Sequence, residues 1–291
     1  MPPTPAPCSR VQSALLLLLS SITFVVHADE WDWLFDSSAL PSSISLSLGK
    51  AEPDLRSRVL SLDLDTVLHH RLQLQYADAQ SSEQTINNRQ YSADWISNPL
   101  DRWCWHLQLG HSGQQDEMVT RELQLGGRFQ NNTWQLQADW LQRKIFLYTD
   151  TQLQREIDID SPGLRLGVQY FGISSWMLQI SHQQFRYSKD TQKLSNPLAP
   201  LYFSDSALSL ASGLEDRQTT LGIHYNIRAF SIGMQHHRSV SAVDKSLAIS
   251  NELLASWGNL DWALAVQAGN TRYDSDTQRY IYSSIMLTKY F

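Results

Sequence analysis

Cysteine is nearly absent from this sequence, two in 291 residues. Cys8 lies ahead of the N-terminal apolar run, where a lipoprotein acceptor would not sit, and Cys104 is then alone. An internal disulfide and a thiol-built metal cluster are thereby excluded from the exported chain. A strong charge of either sign is missing too: 23 Lys and Arg face 29 Asp and Glu, a formal net charge of −6. Such a mildly acidic balance speaks against nucleic acid as a partner. No apolar run beyond residue 28 is long enough for a membrane-spanning helix, and the mean hydropathy is −0.33. That excludes a helical membrane protein. It does not exclude a barrel, in which polar lumen positions alternate with lipid-facing ones and cancel them.

The single long apolar run, 14–26, follows Arg10, the only charge ahead of it. It is too short to cross a bilayer as a helix and fits the core of a signal peptide. Val26-His27-Ala28 offers a cleavage site, so 1–28 reads as a removable leader and the mature chain as starting at Asp29. Its removal takes away one cation and no acid, which moves the formal charge from −6 to −7. The alternative is an uncleaved anchor. Residues 29–42 then form a periplasmic segment in which Trp31, Trp33 and Phe35 either plug the barrel end or anchor at the interface.

From Ser43 onward the period is two. Ile44, Leu46 and Leu48 alternate with serines; Leu60, Leu62 and Leu64 with Ser61 and Asp63; Leu72, Leu74 and Tyr76 with glutamines. The same grammar recurs at Tyr91–Trp95, 103–109, 119–129, 134–140, 164–170, 176–180, 221–225, 230–234, 247–257, 262–268 and 279–291. That makes fourteen segments. Short connections at 65–69, 98–101, 130–132, 172–175, 226–229 and 258–260 alternate with longer polar ones, among them 144–162, 188–215, 239–246 and 270–278. Short-long alternation with an even strand number predicts an all-β, antiparallel transmembrane barrel over 43–291, of 14 strands, with 12 or 16 as alternatives. Both termini then lie in the periplasm.

Aromatic residues sort by end. Trp95, Trp103, Trp134, Trp176, Trp257 and Trp262 sit beside short turns, joined by Phe129, Tyr170, Phe171, Tyr225 and Phe230. Tyr76, Tyr91, Phe146, Tyr148, Phe185, Tyr187, Tyr273 and Tyr280 sit at the long-loop ends. Two such bands, one strand length apart, predict an aromatic girdle at each membrane interface. A soluble sandwich would not collect tryptophans at one end of its strands. The last stretch, 283–291, with Ile285, Leu287 and the final Phe291, resembles the terminal strand of bacterial outer-membrane proteins. That resemblance implies recognition by the barrel-assembly machinery; Lys289 departs from it, standing where an aromatic or apolar residue is usual. The porin-like class as a whole is what the chain resembles.

The opposite strand face is glutamine- and serine-rich with scattered charge: Asp63, Arg71, Asp94, His106, Glu122, Arg128, Asp139, Arg165, His224 and Glu252. A balanced wall of this kind suits a hydrated lumen for small polar solutes, or a closed barrel whose residues satisfy one another. Loop 188–215 is apolar from 194 to 214, carries Pro197 and Pro200, and holds a turn or two of helix at 206–211. It serves either as a constriction folded into the mouth or as an external cap. A further reading is an acyl hydrolase. Outer-membrane phospholipase A carries His-x-Ser-Asn-Gly, which His237-Arg238-Ser239 matches only in its first half, since Val240-Ser241 follows. The pairs His69-His70 and His236-His237 sit on adjacent positions that point to opposite faces, so neither pair chelates one ion, and no cofactor is expected.

Overall fold

A computed structural model shows the chain after residue 41 as one closed antiparallel barrel of 14 strands. It describes residues 42–52, 54–66, 70–81, 86–149, 156–173, 175–227, 229–259, 261–274 and 279–291. The leader 1–28 with its cleavage site, and Trp31, Trp33, Phe35 and His69, lie outside them. The strands are β1 Ser43–Ala51, β2 Leu55–Asp65, β3 Arg71–Ser81, β4 Ile86–Ile96, β5 Trp103–Gln114, β6 Met118–Gln130 and β7 Trp134–Tyr148. They continue as β8 Glu156–Ile173, β9 Trp176–Phe185, β10 Glu215–Ile227, β11 Phe230–Ser241, β12 Leu247–Gly258, β13 Trp262–Tyr273 and β14 Arg279–Tyr290. Each strand pairs with the next, and β1 closes on β14 with Ser43 opposite Tyr290 and Ala51 opposite Tyr282. No strand edge is left unpaired, which is what a sheet needs where water cannot satisfy its backbone.

The period of two decides which way each side chain points. In β1, Ser43, Ser45 and Ser47 are buried inside while Ile44, Leu46 and Leu48 stand on the outer wall. Register carries that outer row around the barrel: Leu46 lies opposite Leu287 and Leu60, and Leu287 opposite Leu264. Slipping one residue would bury the leucines and expose the serines on every strand, so the pattern fixes the pairing.

One end of the barrel has only short connections, at 66–70, 97–102, 131–133, 174–175, 228–229 and 259–261. In two of them an asparagine builds the turn. The Oδ1 of Asn131 accepts from the Thr133 and Trp134 N–H groups, and that of Asn259 from Asp261 and Trp262. An asparagine side chain mimicking backbone in this way is a compact turn maker.

The other end differs from expectation in two respects. The stretch 144–162, expected as loop, is mostly strand: β7 runs to Tyr148 and β8 starts at Glu156, so this hairpin projects furthest. Its outward Lys144, Asp158 and Asp160 disguised an inward row of Ile145, Leu147, Ile157 and Ile159. The connections 52–54 and 115–117 at this end are as short as those opposite.

Inside the loop end, two apolar clusters replace the polar wall. Ala51, Leu55, Val59, Ala77, Ala79, Tyr273, Tyr280 and Tyr282 form one, across the β1–β14 seam. Gly269 makes room for it, because a Cβ there would meet the Tyr282 Oη at 2.6 Å. The second cluster lies under the 186–214 loop.

Candidate functional site

The lumen gathers the sequence-predicted residues into separate networks. Near the short-turn end Arg71 grips Asp63 through two hydrogen bonds, Nε to Oδ1 and a terminal nitrogen to Oδ2, each 2.5 Å. Across β5–β8, Asp139 is the hub, and its side chain has no solvent exposure. It accepts from Gln124 at 3.1 Å and Gln137 at 2.9 Å, with His106 Nε2 at 3.3 Å and Arg165 at 3.9 Å. Gly126 allows this approach, since a Cβ there would collide with Asp139 Oδ1 and the His106 ring. One level nearer the loops, Glu122 holds Arg143 at 2.6 Å and Arg165 donates to the Gln183 carbonyl.

A third network spans β10–β14. Glu252, 1 % exposed, accepts from the Tyr282 hydroxyl at 2.5 Å and from Gln267 at 3.0 Å, and faces His237 Nε2 at 3.5 Å. The His237 Nδ1 pairs with the Thr220 hydroxyl at 3.0 Å. His224 contacts Gln235 at 3.4 Å instead of an acid. Arg128 turns toward the short turns, donating to Cys104 Sγ and the Pro99 carbonyl. Asp94 stays apart from these pairs, between Gln73 and Gln108 in register.

The loop 186–214 folds into the mouth. Helix α1, Asp205–Ser212, is capped by Ser204, whose hydroxyl accepts from the Ala207 N–H and itself bonds Glu117. Ala207, Leu210 and Ala211 are buried and pack, with Ala199, Phe203 and Leu214, on Met118, Ile145, Leu147 and Ile159 of the inner wall. The loop is tied across as well: Thr191 donates to the Ala242 carbonyl, and Ala242 N–H to Leu214. Of the two placements open to it from sequence, it takes the one folded into the mouth.

Beneath the helix lies a cavity of about 160 Å³. Glu122, Arg143, Arg165, Gln183 and Glu215 line it on one side, and Gln90, Ser92, Gln108 and Gln124 on the other. Leu210, Leu214 and Phe185 roof it, with the Arg143 guanidinium 4.1 Å over the Phe185 ring. Two cations balance two carboxylates in a wall of amides and hydroxyls. Such a wall can exchange hydrogen bonds with a small polar solute without favouring either charge.

Sequence reasoning missed Arg143, Gln183, Glu215, His237 and Tyr282. Strand parity held the signal for Arg143, Gln183 and His237, which lie at even spacings from Asp139, Gln179 and Gly233, and for Tyr282, which adjoins outward Ile281. Glu215 breaks parity because the register shifts between Glu215 and Arg217. Parity also corrects the aromatic bands. Trp95, Trp103, Trp134, Trp176, Trp257 and Trp262 all face outward beside the short turns, and Trp103 is 64 % exposed. At the loop end only Tyr76, Tyr91, Phe146 and Tyr148 do so, whereas Phe185, Tyr273 and Tyr280 turn inward and are buried, and Tyr187 packs against the loop cluster. The His-x-Ser pair follows the same parity: His237 and Ser239 are both buried on the lumen side and do not stand on the outer wall.

No protein-family model matches the sequence, and no curated protein does. Among solved structures the chain is similar to the CymD monoaromatic hydrocarbon channel, with 8 % identity over 90 % of this chain and 91 % of that one and a TM-score of 0.54. CdiB from Acinetobacter baumannii is similar at 11 % identity, over 86 % of this chain and 60 % of that one, with a TM-score of 0.51. The KdgM porin aligns at 11 % identity over 86 % and 99 %, with a TM-score of 0.44. At these identities the likeness is one of fold alone, that of a closed antiparallel β-barrel.

Proposed function

We propose that the protein is an outer-membrane channel that passes small polar solutes, weakly selective and narrowed by its own 186–214 loop. The observation that carries this reading is the charge-balanced chamber beneath helix α1, inside a closed barrel with a polar wall. In this reading the short-turn end with its tryptophans faces the periplasm, together with both termini, and the loop end faces outward. Leader 1–28 exports the chain, and the barrel-assembly machinery reads the last strand through Ile285, Leu287 and Phe291, all on the outer wall. Lipid contacts the belt of leucine, isoleucine and valine between the two ends.

Reconstitution into planar bilayers tests the proposal. Small discrete conductance steps are expected, and removal of 188–215 should raise their amplitude. Folded protein that gives no steps in either form overturns it. The second reading, a closed scaffold, is favoured by one observation: tyrosines 273, 280 and 282 fill the seam side of the loop end with apolar contacts. It requires silence in the same bilayer experiment.

A further inference from the structure

The two ends of the outer wall differ in chemistry. Beside the short turns, outward strand positions carry aromatic rings and, among the described residues, one cation, Lys289, whose ammonium lies 4.8 Å over the Trp262 ring. At the loop end, cations crowd outward. Lys50 stands directly opposite Arg56 on β1 and β2, and Arg272 directly opposite Arg279 on β13 and β14. All four are exposed, and none makes an ion pair among the described residues. Like charges placed opposite each other destabilise a sheet, so an anion lying against these pairs would relieve their repulsion.

Further round the same end, a groove of about 730 Å³ opens on the outer wall. Arg89 and Arg121 line it with His111, Tyr91, Phe146 and Tyr148, and the Arg121 guanidinium sits 5.1 Å over the Phe146 ring. Guanidinium forks fit phosphate oxygens, and aromatic faces with amide neighbours such as Asn87 and Gln114 fit a saccharide. The acids on this level are Glu156 at the groove, Asp158 opposite Phe146 and already paired with Lys144 and Lys189, Asp160 opposite Lys144, Asp78 opposite Arg89, and Glu52, which accepts from the Ile281 N–H. None of them pairs with Arg121, Arg272 or Arg279 among the described residues. The apolar belt ends just below, which puts these cations at headgroup height.

We propose that this wall binds a phosphorylated glycolipid of the outer leaflet. A headgroup phosphate sits on Arg89 and Arg121 in the groove, and the Arg272–Arg279 pair forms a second phosphate contact. This inference rests on the outer-membrane placement proposed above and not on conduction.

Native mass spectrometry of the detergent-solubilised full chain tests it, with phosphorylated lipid A as the probe and its phosphate-free form as the control. The wild type should hold lipid A and lose roughly tenfold in affinity when the phosphates are absent. The variant R89Q/R121Q/R272Q/R279Q should lose lipid A by a similar factor while keeping heat-modifiable gel mobility. If the glutamine variant does not fold, the same four positions changed to lysine should fold and bind lipid A more weakly than the wild type, because charge is retained but the bidentate fork is lost, and unchanged binding then overturns the proposal. Equal binding of both lipids overturns the proposal, as does full retention by the glutamine variant or displacement of lipid A by excess inorganic phosphate. Conductance recorded on the same preparations separates the two ideas. Lipid lost from an active channel defeats only this inference, and lipid kept by a silent barrel defeats only the channel.

Discussion

At the scale of single residues, the lumen is governed by pairing. Asp63 is buried, and Arg71 supplies its compensating charge. Arg71→Met is expected to cost about 3 kcal/mol, because an unpaired carboxylate remains inside, while Asp63→Leu with Arg71→Met should cost far less. Urea titration of the folded barrel in detergent would measure both. The glycine at 126 is the second case. Gly126→Ala must push Asp139 and the His106 ring aside, and a loss of about 1–3 kcal/mol is expected in the same titration. A variant as stable as wild type would mean that the hub relaxes freely. Residue-scale roles were only partly legible in the sequence. The ten ionisable lumen candidates could be read from alternation, but their partners lie on other strands, and which rows meet depends on register. Asp139 and Arg143 sit in one strand, yet the first gathers His106 and two glutamines while the second takes Glu122.

At the scale of elements, α1 is held by contacts as much as by its own propensity. It is short, with one capping serine, so its stability comes from Leu210 and the alanines against Met118 and Ile145. Leu210→Asp should release the loop and raise single-channel conductance toward that of the 188–215 deletion, with unchanged heat-modifiable mobility. Conductance identical to wild type would place the narrowing elsewhere. Strand number and the short turns were readable because period two and turn residues are local signals. The β7–β8 projection was not, since Lys144, Asp158 and Asp160 on its outer face look like loop chemistry. Nor was the inward turn of Tyr273 and Tyr280, because nearness to a loop does not reveal which face of the strand a ring takes.

For the whole molecule, the proposed membrane placement assigns each position on the outer wall a depth. Val266 lies in the middle of the apolar belt, with Ala255 and Ile285 beside it. Val266→Arg is expected to cost about 2–4 kcal/mol of folding free energy in phospholipid vesicles, whereas Ile281→Arg, near the rim, should cost about 0–1. Equilibrium refolding from guanidinium into vesicles would measure the difference. Equal costs at both depths would show that this wall does not face hydrocarbon.

The seam between β1 and β14 carries a kinetic consequence. The hydroxyls of Ser45 and Thr288 meet at 2.8 Å although 243 positions separate them in sequence. Every other strand pair can zip with its immediate neighbour, but this one must join segments from opposite ends of the sheet, across the largest chain entropy in the fold. Until it forms, two open strand edges remain and stability is incomplete. Ring closure is therefore the expected slow event of folding. Weakening that seam by Ser45→Ala should slow the appearance of the compact form more than Ser250→Ala, whose partner Thr271 lies only 21 positions away.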